Sequence, residues 1–225
     1  MAVVTSTVIT KGAGSIGNIT VRSRKGGGLI VSGKATIVSN PKTEAQTFQR
    51  TRFNNVNLIL RALLIYLNSY WIRSKANVAP IAEASSKALR TIATDISNII
   101  DIASSRIQVA KGALSQFVNL EFSDIEYNET SKQLSFLAEW SSQLFGNASV
   151  SDEIFFVLVN CTKGQVEGVS ANTLRSAQSI NEGFTITYPD DVYQIAFFTK
   201  NTTGSIFGDG YSCVHMSNQT PALCI

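Results

Sequence analysis

The chain has 225 residues, 44% hydrophobic and 16% charged, with a net charge of +3. That is ample apolar material for a packed core, against an ordinary charged share of about 25%. It excludes a low-complexity chain, and the length suits one large or two small domains.

No charged segment precedes an apolar run at the start, so no secretory signal is expected. The most apolar stretch, Leu58 to Leu67, carries Arg61 and is shorter than the roughly 20 residues a bilayer requires, so no membrane span is expected. Cys161, Cys213 and Cys224 form no CxxC pair and no metal spacing. They are expected as reduced, buried thiols.

The net charge hides an asymmetry. Residues 1–102 hold thirteen Lys/Arg and four acids, while residues 103–225 hold six Lys/Arg and twelve acids, so +9 stands against −6. A split of this kind suits partners of opposite sign. The basic half can meet nucleic acid, or it can meet the acidic half of a second subunit in a head-to-tail assembly. A solvated dipolar surface with no partner is the third reading.

In chain order, residues 2–10 alternate apolar and Ser/Thr side chains and read as an extended strand. Gly12, Gly14 and Gly17 then spell a GxGxxG. A dinucleotide site needs the third glycine to open a helix and an acid about 20 residues on. Here a strand-like run follows Gly17 and residues 35–41 hold no acid, so no cofactor is expected. Residues 18–24 and 29–38 read as a hairpin around Lys25-Gly26-Gly27-Gly28. Arg22, Arg24, Lys25 and Lys34 decorate it. Such an arm buries little alone, so packing against another subunit or molecule is expected.

Asn40-Pro41 marks a turn, and Thr43 to Gln46 fits a capping box. The helix predicted over about 44–75 repeats Phe53, Val56, Leu60, Leu63, Leu64, Leu67 and Trp71 at intervals of three and four. Gln46, Gln49, Arg50 and Arg52 on its early turns form a polar cluster suited to a backbone or an anion, or an ordinary solvated face. Pro80 restarts the chain, and Ala88, Ile92, Ile96, Ile99 and Ala103 keep helical spacing. The segment 103–117 fits either a continued helix or a strand from Arg106. Six strand candidates follow, beginning near Phe117, Gln133, Glu153, Phe184, Val192 and Tyr211. With Arg106–Ala110 they make about seven strands in about 120 residues, the density of a β-sandwich.

Catalytic signals are sparse. His215 is the only histidine, and Cys213 lies two residues away, which on a regular strand places both on one face. The acids Asp124, Glu126, Glu139, Asp152, Glu153, Asp190 and Asp191 offer carboxylate pairs, and Asp190, Asp191 and Asp209 offer oxygen ligands for a hard cation, without specific spacing. The expectation is a non-enzyme with no catalytic residues and no metal.

Gly14 to Asn18, the strand with Arg22, and Asn40-Pro-Lys-Thr…Gln46…Gln49-Arg50…Phe53 together resemble a family of uncharacterised proteins from Bacteroidota and their phages. Val159-Asn-Cys-Thr-Lys-Gly resembles that family's Asn-x-x-Lys-Gly turn, and Arg106 to Leu114 resembles its first sandwich strand. The resemblance implies a strand over 103–112 and no chemistry.

The expected fold is α+β. A basic β arm over 1–42 and a helical region over 43–102 precede an Ig-like or fibronectin-like antiparallel sandwich over 103–225. The expected function is a structural protein of a phage particle, such as a head–tail connector, ring or tail part of a crAss-like phage, assembled in the bacterial cytoplasm. It would oligomerise through Arg22, Arg24, Lys25, Lys34, Gln46, Gln49, Arg50 and Arg52, with itself and other virion proteins. The alternatives are a nucleic-acid-binding protein using the same residues, and a bacterial cytoplasmic or surface sandwich that binds glycan or protein through Tyr188, Phe207 and Tyr211.

Overall fold

The computed structural model describes residues 2–4, 14–16, 18–23, 29–33 and 42–225. It divides into two compact units, Met1–Thr43 and Glu44–Ile225. In the first, β1 (Ala2–Val4), β2 (Gly14–Ile16), β3 (Ile19–Ser23) and β4 (Leu29–Gly33) form an antiparallel sheet in the order β1-β4-β3-β2. The expected hairpin is β3–β4, in register from Ile19↔Gly33 to Ser23↔Leu29. Only the start of the run 2–10 lies among the described residues, as β1 paired to β4. The first two glycines of the GxGxxG have only Gly14 described, and Gly12 and Gly17 lie outside the described residues, as does the Lys25–Gly28 turn. Leu29 is the buried large apolar side chain described in this unit. Strands of three to five residues supply little core of their own.

The second unit opens with α1 (Glu44–Ala62), α2 (Leu64–Tyr70), α3 (Pro80–Thr91) and α4 (Ile99–Ala103). Ten strands follow: β5 (Gln108–Ala110), β6 (Val118–Asn128), β7 (Gln133–Ser141), β8 (Glu153–Asn160), β9 (Gln165–Val169), β10 (Thr173–Leu174), β11 (Ser179–Thr185), β12 (Tyr193–Lys200), β13 (Gly210–Ser217) and β14 (Thr220–Leu223). The single helix expected over 44–75 breaks at Leu63 and ends at Tyr70. The second helical stretch splits into α3, with Pro80 at its first turn where a missing N–H costs nothing, and the short α4. The ambiguous segment after Ala103 leaves the helix and becomes β5.

Three layers result: helices, a seven-stranded sheet, and a three-stranded sheet in the order β11-β7-β6. The seven-stranded sheet has β8, β12 and β13 at its centre, all antiparallel. Side chains alternate across β8 and β12. Phe155, Val157, Val159, Ala196 and Phe198 face the helical layer and pack with Val56, Leu60, Leu67 and Trp71. Ile154, Phe156, Leu158, Tyr193, Ile195 and Phe197 face the other way and pack with Phe136, Trp140 and Phe184. A sheet covered on both faces reads as a continuous apolar run, which explains Ile154 to Val159. The transition near residue 103 is therefore a change of secondary structure inside one unit, with a shared core on both sides of it.

The sheet edges are tiled by short strands. β10 and β9 divide the outer edge of β8, and Ser170 fills the gap between them, its Oγ accepting from Phe156 N at 2.8 Å. β5 and β14 divide the outer edge of β13. Edge strand β6 carries two register shifts, with Asn119 and Asp124 near them at positive φ (53° and 49°). Short or bulged edges resist unwanted strand pairing.

Glu83 of α3 ties the helical layer together. Its carboxylate accepts from Trp71 Nε1 at 3.0 Å and from the backbone N–H groups of Ser74 and Lys75. The Trp71 bond, then the Ser74 bond, holds its pKa down at about 2, against an ordinary 4.5. A depressed carboxylate stabilises the fold above its ordinary pKa and loses that contribution as pH falls through the folded value. Thermal midpoints of the wild type are expected to fall between pH 4.5 and 2. In Glu83→Gln that acid slope should be shallower, and an unchanged slope would show that Glu83 is not its source.

Candidate interaction surface

Helix α1 buries Arg52, Val56, Ile59 and Leu60. Gln46, Gln49 and Arg50 are exposed, and Phe53 is 51% exposed. Their spacing of i, i+3, i+4 and i+7 places them on one helix face. Arg22 is exposed on β3. Arg24, Lys25 and Lys34 lie outside the described residues.

Arg52 departs from the expectation. It is 4% exposed, and its Nη2 donates to the carbonyls of Leu89 at 2.8 Å and Ile92 at 2.7 Å. These are the carbonyls at the C-terminal end of α3, which have no partners within their own helix. Arg52 is thus a cation at a helix C-terminus that fastens α1 to α3, and it does not belong to an anion-binding face. Its position was legible: 52, 56, 59, 60 and 63 form one stripe, in which the arginine replaces an apolar residue.

The turn after β8 is a polar hub. Asn160 is fully buried, and its Nδ2 donates to Glu167 Oε1 and Asp191 Oδ2, both at 2.8 Å. Its Oδ1 accepts from Lys163 N, and Lys163 Nζ pairs with Asp191 at 3.3 Å. Tyr193 donates its hydroxyl to Glu167 at 3.1 Å. Burial pushes the Glu167 carboxyl up, but the bonds from Asn160, Tyr193 and Thr187 outweigh it and leave the pKa below its ordinary value. Gly164 has φ +66°, and a Cβ there would lie 2.5 Å from Leu58 of α1. The Asn-x-x-Lys-Gly pattern is thereby explained: Asn gathers the hub, Lys closes it, and Gly lets the turn touch the helix. Glu167 and Tyr193 carry no sequence signal that marks them as hub members.

The catalytic candidates do not converge. The β12–β13 register shifts at Ile195/Ala196, leaving Cys213 as an extra residue on β13. Such a bulge reverses the alternation. Cys213 joins Val214 and Met216 in the inter-sheet core, with Sγ on Ile195 O at 3.3 Å. His215 pairs with Gln194, whose amide reaches Ala103 O in the helical layer. The two are on opposite faces, contrary to the same-face expectation. The three thiols are free. Burial pushes the pKa of Cys161 and Cys213 up, and that of Cys224 to about 11, far from thiolate reactivity at neutral pH. Among the described residues no group of three or more His, Cys, Asp or Glu is placed to hold a metal ion. Asp191 serves the hub, and Asp209 accepts from Gly112 N at 3.1 Å.

The loop aromatics are mostly engaged. Phe207 packs edge-on against Tyr70, and Tyr211 lies between Phe197 and the Arg106 guanidinium, 4.5 Å from the ring centroid. Tyr188 is 46% exposed, under the Lys163 ammonium. A cleft of about 570 Å³ between β6 and strands β12 to β14 is lined by Phe117, Phe122 and Phe197 together with Arg106, Glu121 and Asp209. No described helix is long and apolar enough to cross a membrane.

Comparison with known families matches residues 10–206 to a family of unknown function, DUF6266. The match covers most of the chain, so the chain belongs to that family. No curated protein and no solved structure matches.

Proposed function

We propose that this member of the DUF6266 family is a non-enzymatic structural protein that oligomerises through its basic N-terminal unit. The observation that carries the reading is the way charge follows the division into units. Residues 1–43 hold six Lys/Arg and no acid, while residues 44–225 hold thirteen Lys/Arg and sixteen acids, so +6 faces −3. Opposite fields on two units of one chain favour contact between copies. The scant described core of the first unit and the exposed α1 face of Gln46, Gln49, Arg50 and Phe53 support the same reading. The proposed setting is a phage particle of Bacteroidota, as a connector, ring or tail part. An Ig-like kinship of the two β layers is part of this reading, on strand number and antiparallel pairing.

The test is the mass of the purified chain by light scattering. A discrete oligomer is expected at about 0.05 M salt, falling to single chains near 1 M, where screening extends to within about 3 Å. Single chains at both salts sink the reading. The same six cations favour a second reading, binding to nucleic acid. It requires an affinity that falls steeply with salt, and no binding at low salt removes it.

A further inference from the structure

The three-stranded sheet has a solvent side of unusual charge. Register fixes which residues share it. Leu134, Phe136, Ala138 and Trp140 of β7 point into the core. The outward rows are therefore Glu121↔Glu139↔Ser179, Ser123↔Leu137↔Asn181, Glu126↔Ser135↔Gly183 and Asn128↔Gln133↔Thr185. Three glutamates stand on this face, Asp124 is exposed in the adjoining bulge, and β6, β7 and β11 contain no Lys or Arg. Glu129 and Lys132 in the β6–β7 turn offset each other.

None of these four acids belongs to an ion pair among the described residues; the four pairs formed there all use other carboxylates. Glu121 and Glu139 are direct cross-strand partners, an arrangement of like charges that destabilises a sheet. The rest of the face is Ser, Asn, Gln, Thr and Gly around half-buried Leu137. Its charge complement exists in the chain itself, since the first unit carries six cations and no acid.

We infer that the outward face of β6, β7 and β11 is the docking surface for the basic N-terminal unit of a second copy of this chain. The inference rests on the assembly reading above and names the surface that reading needs. The contact is heterologous, arm of one copy to sheet face of the next, so it propagates around a ring or along a stack. It is polar and screened by salt, as the light-scattering test requires.

A charge swap in the full-length chain tests it. One variant carries Glu121→Lys, Glu126→Lys and Glu139→Lys; the other carries Arg22→Glu, Arg24→Glu and Lys25→Glu. The face substitutions are on exposed side chains and keep like charges opposed, so the sheet is expected to fold as before. At low salt each variant alone should have the mass of one chain, and an equal mixture should form a two-chain complex, in which the unchanged arm of the face variant docks on the unchanged acidic face of the arm variant. A mixture that stays monomeric overturns the inference. A face variant that keeps the wild-type mass overturns it too, while leaving the assembly reading standing. A wild type that is monomeric at low salt removes both. If the lysine variant does not fold, judged by tryptophan emission, the Glu→Gln triple variant reads the same contact by charge removal alone. A several-fold weaker oligomer is then expected, and an unweakened one overturns the inference.

Discussion

Replacing Asp152 with alanine is expected to destabilise the second unit by about 3–5 kcal/mol, the cost of leaving a buried charge without its partner. The partner is Arg175, 1% exposed, with Nη2 at 3.4 Å from Asp152 Oδ2. Asp152 is equally buried and also accepts from Ser149 N at 2.7 Å. The guanidinium donates to the carbonyls of Gln116 at 3.1 Å and Ser115 at 2.8 Å, and it stacks over the Phe117 ring at 4.0 Å. Its own carbonyl accepts from Trp140 Nε1 at 2.7 Å. One arginine thus fastens the segment before β6, the loop before β8 and the end of β7. Burial pulls its pKa down, while Asp152 opposes that. Urea unfolding followed by Trp140 emission in a Trp71→Phe background reads the loss. A change below about 1 kcal/mol would place this pair with weak surface ion pairs instead. The double variant Asp152→Ala/Arg175→Met should recover part of the loss, because it removes the stranded charge as well as the bond.

The pair also shows where sequence reading runs out. Strands with strong patterns were legible: the β3–β4 hairpin, the alternation of β7, and the apolar runs of β8 and β12. The predicted strand near Phe184 is the end of β11, which begins at Ser179. β9, β10 and β14 were not foreseen. β9 is five residues with a glycine, β10 is two residues, and β14 includes Pro221 at an edge where a missing donor is tolerated. Arg52 reads as a member of the polar cluster on the early turns of the helix, although its spacing falls on the apolar stripe, and nothing in the sequence singles out Arg175. Their roles depend on carbonyls 37 to 60 residues away, which no local pattern contains. Cys213 misleads for a related reason, since a single bulge inverts the face that alternation assigns. The acidic sheet face was half legible. The charge split between halves was evident, but its concentration on one side of three strands follows only from their register.

The three-layer arrangement makes a second large prediction, about cooperativity. Phe198 is fully buried on the helical side of the central sheet, stacked against Phe155 at 5.3 Å and Tyr66 at 5.1 Å between ring centroids. Truncating it to alanine is expected to cost about 3–5 kcal/mol, from lost transfer energy plus the cavity left behind. The two tryptophans separate the layers. Trp71 belongs to the helical core and Trp140 to the inter-sheet core. Since β8 and β12 serve both cores with alternate residues, neither layer can lose its packing without exposing one face of the shared sheet. Single-tryptophan versions, Trp71→Phe and Trp140→Phe, should therefore report one coincident urea transition. Phe198→Ala should shift both probes by the same amount, although Trp140 lies on the other side of the sheet. Two separated transitions, or a shift confined to Trp71, would mean that the helices and the β layers fold as independent domains divided near residue 103. Coincidence would identify the central sheet as the element that makes the helical and β layers unfold together.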